Sequence, residues 1–69
     1  MKISARNVLK GRVQEIKHGM VNAEATIELP GGIQVVAIIT QTSVGNLDLA
    51  VGKEVYAVIK ASNVMVAVD

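Results

Sequence analysis

Apolar and polar residues alternate along much of this chain, with the period of two that is typical of β-strands. The alternation is clearest from Met20 to Leu29, where every odd-numbered position is apolar and most even-numbered positions are polar. A strand of this kind buries one face and exposes the other. Residues 33–40 and 54–60 differ, because apolar residues occupy both faces. These two segments are therefore expected to be strands that are covered on both sides.

Turn signals separate the predicted strands. The sequence PGG at residues 30–32 predicts a tight turn, because glycine adopts positive φ and proline fixes its own φ. The sequence SN at 62–63 predicts a hairpin that joins YAVIKA to VMVAV, residues 64–68. Residues 40–48 lose the alternation, and Thr40 or Thr42 is expected to cap a single helical turn there. The predicted fold is all-β, a small five-stranded OB-like barrel with one short helix, in one domain of residues 1–69.

The composition favours an oligomer. A chain of 69 residues buries only about 60% of the surface that its unfolded form exposes, so a monomer is marginally stable. Disulfides or a structural metal usually support domains of this size, but the chain has no cysteine and a single histidine, His18. Apolar residues make up 51% of the chain. Part of this apolar surface is expected to meet another subunit.

The longest uncharged stretch does not predict a membrane span. No charged residue occurs between Glu28 and Asp48, yet proline, glycine and polar residues interrupt this stretch. Its continuous apolar part, residues 35–39, is far shorter than the roughly 20 residues of a spanning helix. Met1 and Lys2 do not lead into an apolar export signal. A cytoplasmic location, with no membrane partner, is expected.

The charges are unevenly distributed. The first 17 residues contain five basic residues and one acidic residue, whereas residues 18–54 contain four acidic residues and one lysine. A basic segment can bind nucleic acid, but proteins that bind single strands usually stack bases on aromatic side chains. Tyr56 is the only aromatic residue of the chain. The balance therefore favours a small anion over a polymer.

The residues that enzymes and metal sites require are mostly missing. The chain has no cysteine, no G-x-S-x-G sequence and no close pair of carboxylates on one face. A lone histidine and scattered glutamates do not make a set of metal ligands, and no phosphate-binding loop of the G-x-x-x-x-G-K-[ST] type occurs. A binding function without catalysis is expected.

The segment ISARNVLKG, residues 3–11, places hydrogen-bond donors and positive charges where the first strand begins. Two interpretations are open. In the first, Ser4 and Asn7 only satisfy backbone groups at a strand entrance while Arg6 and Lys10 are solvated. In the second, this segment is one half of an anion site, because hydroxyl, guanidinium and ammonium groups donate hydrogen bonds to oxyanions.

Four segments resemble one known family in order and spacing: SARNVLKG at 4–11, HGMVNAEATIEL at 18–29, AIITQTSVGNL at 37–47 and VIKASNVMVA at 58–67. They resemble the molbindins, the free-standing Mop domains that bind molybdate and tungstate. The resemblance extends over the whole chain. It implies an OB-like subunit that assembles as a hexamer, a trimer of dimers, with oxyanions bound between subunits.

The resemblance implies two classes of molybdate site. The first class is expected to combine two motifs across a subunit interface; its residues are Ser4, Ala5, Arg6, Lys60 and Ala61. Some relatives have serine where this chain has Ala61, so one hydroxyl donor is missing and weaker binding is expected. The second class lies near the threefold interfaces; its candidates are Lys17, His18, Gly19, Val21 and Asn22, with Thr42 and Ser43 as more distant ones.

The function expected from the sequence is reversible binding of molybdate or tungstate for intracellular storage, buffering or homeostasis of molybdenum. The alternative is an OB-like module that binds nucleic acid. Salt dependence separates the two, because a polynucleotide binder loses affinity steeply as salt rises.

Overall fold

The computed structural model describes residues 1–69 and contains one antiparallel sheet of four strands, a short α-helix and a 3-10 turn. Along the chain the elements are β1 (Asn7–His18), β2 (Asn22–Glu28), β3 (Gln34–Thr40), α1 (Gln41–Asn46), β4 (Glu54–Ile59) and the 3-10 turn Ala61–Asn63. The strand order in the sheet is β3-β2-β1-β4. No helix of the structure has the length and apolar character needed to cross a membrane.

Strand β1 is one of the two central strands of the sheet. It pairs with a different neighbour along each of its halves. Its first half, Asn7–Arg12, pairs with β4, and its second half, Arg12–His18, pairs with β2. An irregularity in the β1–β2 ladder lies between Val13 and Glu15. Such bulges increase the local twist of a sheet. The sheet therefore curls, as in an OB-like fold, and its two edge strands are β3 and β4.

The turn between β2 and β3 confirms the prediction made from PGG. Gly31 and Gly32 have φ angles of +88° and +83°, which residues with a side chain rarely adopt. The amide of Gly32 donates to the carbonyl of Leu29 at 3.1 Å, and the amide of Leu29 donates to the carbonyl of Ile33 at 2.7 Å. These bonds close the hairpin.

Helix α1 begins as expected at one of the two predicted caps. The Thr40 hydroxyl accepts a hydrogen bond from the amide of Ser43 at 3.0 Å, so Thr40 is the N-cap. At the other end, the Lys53 ammonium donates to the carbonyls of Leu47 and Asp48 at 2.7 and 3.1 Å. Carbonyls at the end of a helix otherwise lack partners. The helix is thereby fixed at both ends between β3 and β4.

The core is small and consists of small side chains. Only 7 of the 69 residues are buried, and the apolar ones are Val13, Ala23, Ala25, Ile27, Val44 and Ala57. Three of them lie on the predicted inner face of β2, which confirms the alternation there. Strands β3 and β4 do have apolar residues on both faces, and on the outer face Val36, Ile38, Tyr56 and Val58 are exposed. Nothing within the chain covers these outer faces.

The fifth strand predicted at residues 64–68 is not part of the sheet. After β4 the chain makes the 3-10 turn, in which the amides of Asn63 and Val64 donate to the carbonyls of Lys60 and Ala61. This turn replaces the two-residue hairpin that SN predicted. Because the chain does not reverse alongside β4, residues 64–68 form no ladder and remain exposed. The predicted fifth strand of the OB-like barrel is therefore not confirmed, and the sheet has four strands.

Candidate anion-binding site

The two motifs of the predicted first site meet where β1 begins and β4 ends. In the antiparallel β1–β4 ladder the outermost pair is Asn7 and Ile59. Arg6 directly precedes this pair and Lys60 directly follows it. Antiparallel pairing therefore brings two basic residues, 54 positions apart in the sequence, to the same corner of the sheet.

This corner forms a cavity of about 600 Å³, here called the cationic cavity. All five residues predicted for the first site line it, together with four neighbours. The lining residues are Ile3, Ser4, Ala5, Arg6, Val58, Lys60, Ala61, Ser62 and Asn63. Both motifs therefore contribute to one cavity within a single chain.

The side chain of Asn7 connects β1 to β4 at this corner of the sheet. Its side-chain Nδ2 donates a hydrogen bond to the carbonyl oxygen of Ile59 at 3.2 Å, and the side chain is partly buried. This bond lies beside the last pair of the ladder. It therefore holds the ends of the two strands, and the basic residues next to them, in a fixed relation.

The positive charges of the cationic cavity are not neutralised within the chain. The ion pairs of the structure join Lys10 and Arg12 to Glu54, and none includes Arg6 or Lys60. Neither side chain donates a hydrogen bond to another residue. No carboxylate lines the cavity. An arginine and a lysine without an internal partner form a suitable site for an anion, because charge-assisted hydrogen bonds are stronger than neutral ones.

A second polar cavity contains acidic as well as basic residues, unlike the cationic cavity. It is lined by Lys10 and Arg12 of β1 and by two glutamates, Glu28 and Glu54. The hydrogen bond and the charge of Lys10 hold the pKa of Glu54 below its ordinary value, and Glu54 in turn raises the pKa of Lys10. The charges of this cavity balance, so it offers no net attraction to a dianion.

Sequence reasoning missed two polar residues of the cationic cavity. Ser62 and Asn63 line it and bring a hydroxyl and an amide, although SN was interpreted only as a turn. The amides of Ala61 and Ser62 also donate no hydrogen bond within the chain. The available signal was that Ser62 and Asn63 follow Lys60 and Ala61 directly in the sequence. The Ser62 hydroxyl lies next to Ala61, the position where a hydroxyl was noted as missing.

The residues predicted for the second site lie at the opposite end of β1. Lys17 and His18 end the strand, and the turn that follows is closed by a hydrogen bond from the Gly19 amide to the Asn22 carbonyl at 2.9 Å. Lys17, His18, Gly19, Val21 and Asn22 are all exposed. They are neighbours in one turn, but they line none of the three cavities described in the structure.

Gln41 connects this turn to the start of helix α1. Its Nε2 donates to the Gly19 carbonyl at 3.0 Å, and its Oε1 lies 3.1 Å from Nδ1 of His18. A carbonyl oxygen only accepts, so the Gly19 contact sets the orientation of the amide and Oε1 accepts from His18. The proton of neutral His18 is therefore on Nδ1.

The more distant candidates of the second site are partly engaged elsewhere. The amide and the hydroxyl of Ser43 both contact the hydroxyl of Thr40 in the helix cap, at 3.0 and 2.9 Å. Thr42 is exposed on the first turn of α1. No group of three or more histidine, aspartate or glutamate side chains is arranged to hold a metal cation.

Known proteins match this chain along most of its length. The family model described as the TOBE domain matches residues 3–66. A probable molybdenum-pterin-binding protein of Haemophilus influenzae is 51% identical over 69 residues, which cover all of both chains.

Two solved structures have the same fold. One is a molybdate-binding protein from Sporomusa ovata, with a TM-score of 0.91 and 43% identity over 97% of this chain and 98% of that chain. The other is the cytoplasmic molybdate-binding protein ModG with molybdate bound, with a TM-score of 0.91 and 46% identity over 94% of this chain and 46% of that chain. The chain therefore belongs to the TOBE-domain family and, within it, to the Mop proteins, whose members are named for binding molybdenum-pterin.

Proposed function

We propose that this protein binds molybdate or tungstate reversibly and without catalysis, and that it serves to store or buffer the oxyanion inside the cell. The proposed site is the cationic cavity, with Ser4, Arg6 and Lys60 as side-chain donors and the backbone amides near Ala5 and Ala61 as further donors. Ser62 and Asn63 add a hydroxyl and an amide to this set.

The main support is one observation: Arg6 and Lys60 line a cavity that contains no carboxylate and have no ion-pair partner in the chain. Molybdate at neutral pH is a tetrahedral dianion whose oxygens only accept hydrogen bonds. Arginine offers a planar fork of donors and lysine a compact charge. The two residues together match the charge of the dianion.

The same chemistry predicts selectivity. Phosphate near neutral pH carries a proton, which needs an acceptor in the site. The cavity has no carboxylate, which would be the strongest acceptor for that proton, and only neutral oxygens such as those of Ser62 and Asn63 line it. Molybdate and tungstate are therefore expected to bind more tightly than phosphate.

The number of donors is sufficient for useful affinity. A hydrogen bond to a charged group contributes about 1.5–3 kcal/mol. Five or six such bonds, less the cost of removing water from a dianion, can reach the roughly 8 kcal/mol of a micromolar complex. The names of the similar proteins from Sporomusa ovata and of ModG, both described as binding molybdate, agree with this ligand.

The proposal includes the assembly and the location of the protein. We infer a homo-oligomer, a hexamer built as a trimer of dimers, that works in the cytoplasm, as ModG is described to do. The small core and the exposed apolar residues of β3 and β4 support association. A second site at Lys17, His18, Gly19, Val21 and Asn22 would lie at a further interface. Sedimentation at micromolar concentration is expected to show a hexamer, and a stable folded monomer would contradict the assembly.

Calorimetry tests the ligand. Titration with molybdate, tungstate and phosphate is expected to show binding of the first two and much weaker binding of phosphate. Comparable phosphate affinity would mean that the cavity is a general anion patch. A parallel titration with single-stranded DNA over a range of salt concentrations tests the nucleic-acid alternative, since polynucleotide binding falls steeply with salt. Measurable DNA binding with such a slope, and no molybdate binding, would replace the proposed function.

A further inference from the structure

Gln41, the first residue of helix α1, contacts the turn between β1 and β2 through its backbone and its side chain. Its backbone amide donates a hydrogen bond to the carbonyl oxygen of Val21 at 2.8 Å. Its side-chain Nε2 donates to the carbonyl oxygen of Gly19 at 3.0 Å, and its Oε1 lies 3.1 Å from Nδ1 of His18. A residue outside the proposed second site is therefore bonded to three of that site's candidate residues.

These bonds occupy the hydrogen-bond acceptors of the turn. Of the four carbonyl oxygens of residues 19–22, two accept from Gln41 and a third, that of Asn22, accepts from the Gly19 amide at 2.9 Å. The amides of Met20 and Val21, in contrast, donate no hydrogen bond within the chain. A free carbonyl oxygen repels an oxyanion, whereas a free backbone amide attracts it. The turn is therefore left with free donors.

The His18 ring stabilises one orientation of the Gln41 side-chain amide. The amide oxygen only accepts hydrogen bonds and the amide nitrogen only donates them. The proton on Nδ1 of His18 therefore favours the orientation in which Nε2 of Gln41 faces Gly19. The reversed amide would place two oxygen acceptors, Oε1 and the Gly19 carbonyl oxygen, against each other. His18 consequently contributes to the turn through Gln41.

We propose that Gln41 is a positioning residue of the second site: it binds the carbonyls of Gly19 and Val21, so that the turn offers free donors to an oxyanion. These donors are the amides of Met20 and Val21 and the ammonium of Lys17. Lys17 forms no ion pair within the chain, although Glu24 pairs with it in the β1–β2 ladder. The role in anion binding rests on the proposed function, whereas the contact of Gln41 with His18 does not.

The side-chain bonds of Gln41 can be removed while its backbone bond to Val21 is kept. The Gln41→Met variant retains the backbone amide and has a side chain of similar length. The Gln41→Glu variant keeps an acceptor for His18, but a carboxylate does not donate to Gly19. Gln34→Met is the matched control, because Gln34 is an exposed glutamine at the other end of β3 whose Nε2 donates to Gln14 at 2.6 Å.

Nitrogen-15 NMR of the His18 ring tests the contact, since His18 is the only histidine of the chain. At alkaline pH the neutral ring is expected to carry its proton on Nδ1 in the parent, in Gln41→Glu and in Gln34→Met. In Gln41→Met the proton is expected to move largely to Nε2, because the hydrogen bond that holds it on Nδ1 is lost. A loss of stability alone would not move this proton. An unchanged tautomer in Gln41→Met would overturn the proposal.

Titration of the assembled protein with molybdate, followed by amide NMR, tests the role in binding. The amide signals of Met20 and Val21 are expected to shift with the same affinity in the parent and in Gln34→Met. Gln41→Met is expected to bind roughly fivefold more weakly at this turn, which corresponds to about one net hydrogen bond, and Gln41→Glu at least as weakly. Equal affinity of Gln41→Met and the parent would overturn the proposal. No shift of these signals in the parent would exclude the second site and the role of Gln41 with it, while the amide signals of Ala5 and Ala61 would still report binding in the cationic cavity.

Discussion

The side chain of Asn7 donates a hydrogen bond to the carbonyl oxygen of Ile59, 3.2 Å away, and so connects residues that are 52 positions apart. The same two residues form the last pair of the β1–β4 ladder. Their neighbours, Arg6 and Lys60, line the cationic cavity. This hydrogen bond therefore lies directly beside the proposed site, although Asn7 does not line the cavity.

Replacement of Asn7 by alanine is expected to lower the free energy of unfolding by about 1 kcal/mol, the usual net value of a hydrogen bond. It is also expected to weaken molybdate binding, since Arg6 and Lys60 would be held less firmly. Urea unfolding and calorimetry measure the two effects. Asn46→Ala is the control, because Asn46 is exposed and its side chain makes no hydrogen bond. A less stable Asn7→Ala variant with unchanged affinity would show that the ladder alone holds the site.

Arg6 and Lys60 are expected to act as one site. Each alanine variant should lose about 1.5–3 kcal/mol of molybdate binding free energy, which is roughly a 10- to 150-fold weaker Kd. Because both groups neutralise the same dianion, the loss in the double variant is expected to differ from the sum of the single losses. A double-mutant cycle by calorimetry, on protein verified to be assembled, measures this difference.

Lys10→Ala is the control for this cycle, since it removes a positive charge of β1 from the cavity whose charges balance, outside both proposed sites. It is expected to leave the affinity of the cationic cavity nearly unchanged. Additive losses at Arg6 and Lys60, or parental affinity in either variant, would mean that ISARNVLKG is only the entrance of a strand.

Two glycine-to-alanine changes are expected to have opposite effects on stability. A Cβ atom at Gly11 would lie 2.5 Å from the carbonyl oxygen of Glu28 and 2.8 Å from a methyl group of Ile27. This crowding should cost about 1–3 kcal/mol. A Cβ atom at Gly45 would meet nothing within 4 Å, so alanine in the helix should add about 0.5–1 kcal/mol. Urea unfolding of both variants checks the signs, and a stable Gly11→Ala variant would contradict the close packing of β1 against β2.

Acid is expected to weaken the ion pair of Glu54. Its pKa lies below the ordinary value of 4.5 because Lys10 donates a hydrogen bond to it and is positively charged. The Glu54 carboxylate binds a proton more readily in the unfolded chain than in the folded one. The stabilisation that its ion pair provides is therefore complete above the unfolded pKa and is lost as the pH falls through the folded pKa.

The Glu54→Gln variant should therefore lose less stability than the parent between about pH 5 and pH 3. The difference is expected to be small, because both partners are exposed and surface pairs contribute little. Thermal unfolding across this range measures it, with Glu15→Gln, which removes a carboxylate without an ion pair, as the control. An acid profile identical to that of the parent would show that the pair does not stabilise the fold.

Local features of the fold could be predicted from the sequence because they depend on neighbouring residues. The alternation from Met20 to Leu29 predicted the buried face of β2, which Ala23 and Ala25 confirm. The glycines of PGG require positive φ, and the Thr40 hydroxyl reaches an amide three residues away. Each of these signals acts within a few positions of the chain. The basic residues of the candidate site could also be named from the sequence, because their positive charge and their short motifs are local features.

Only the tertiary structure decided which distant groups meet. Lys10 and Arg12 are positively charged like Arg6, but the register of β1 against β4 places them beside Glu54 and leaves Arg6 next to Lys60 without a carboxylate. The apolar pattern at 64–68 predicted a strand, yet a strand also needs a partner edge, and after the 3-10 turn this segment forms no ladder with its own sheet. Residue type and periodicity are properties of short stretches of chain, whereas pairing is determined by the path of the whole backbone.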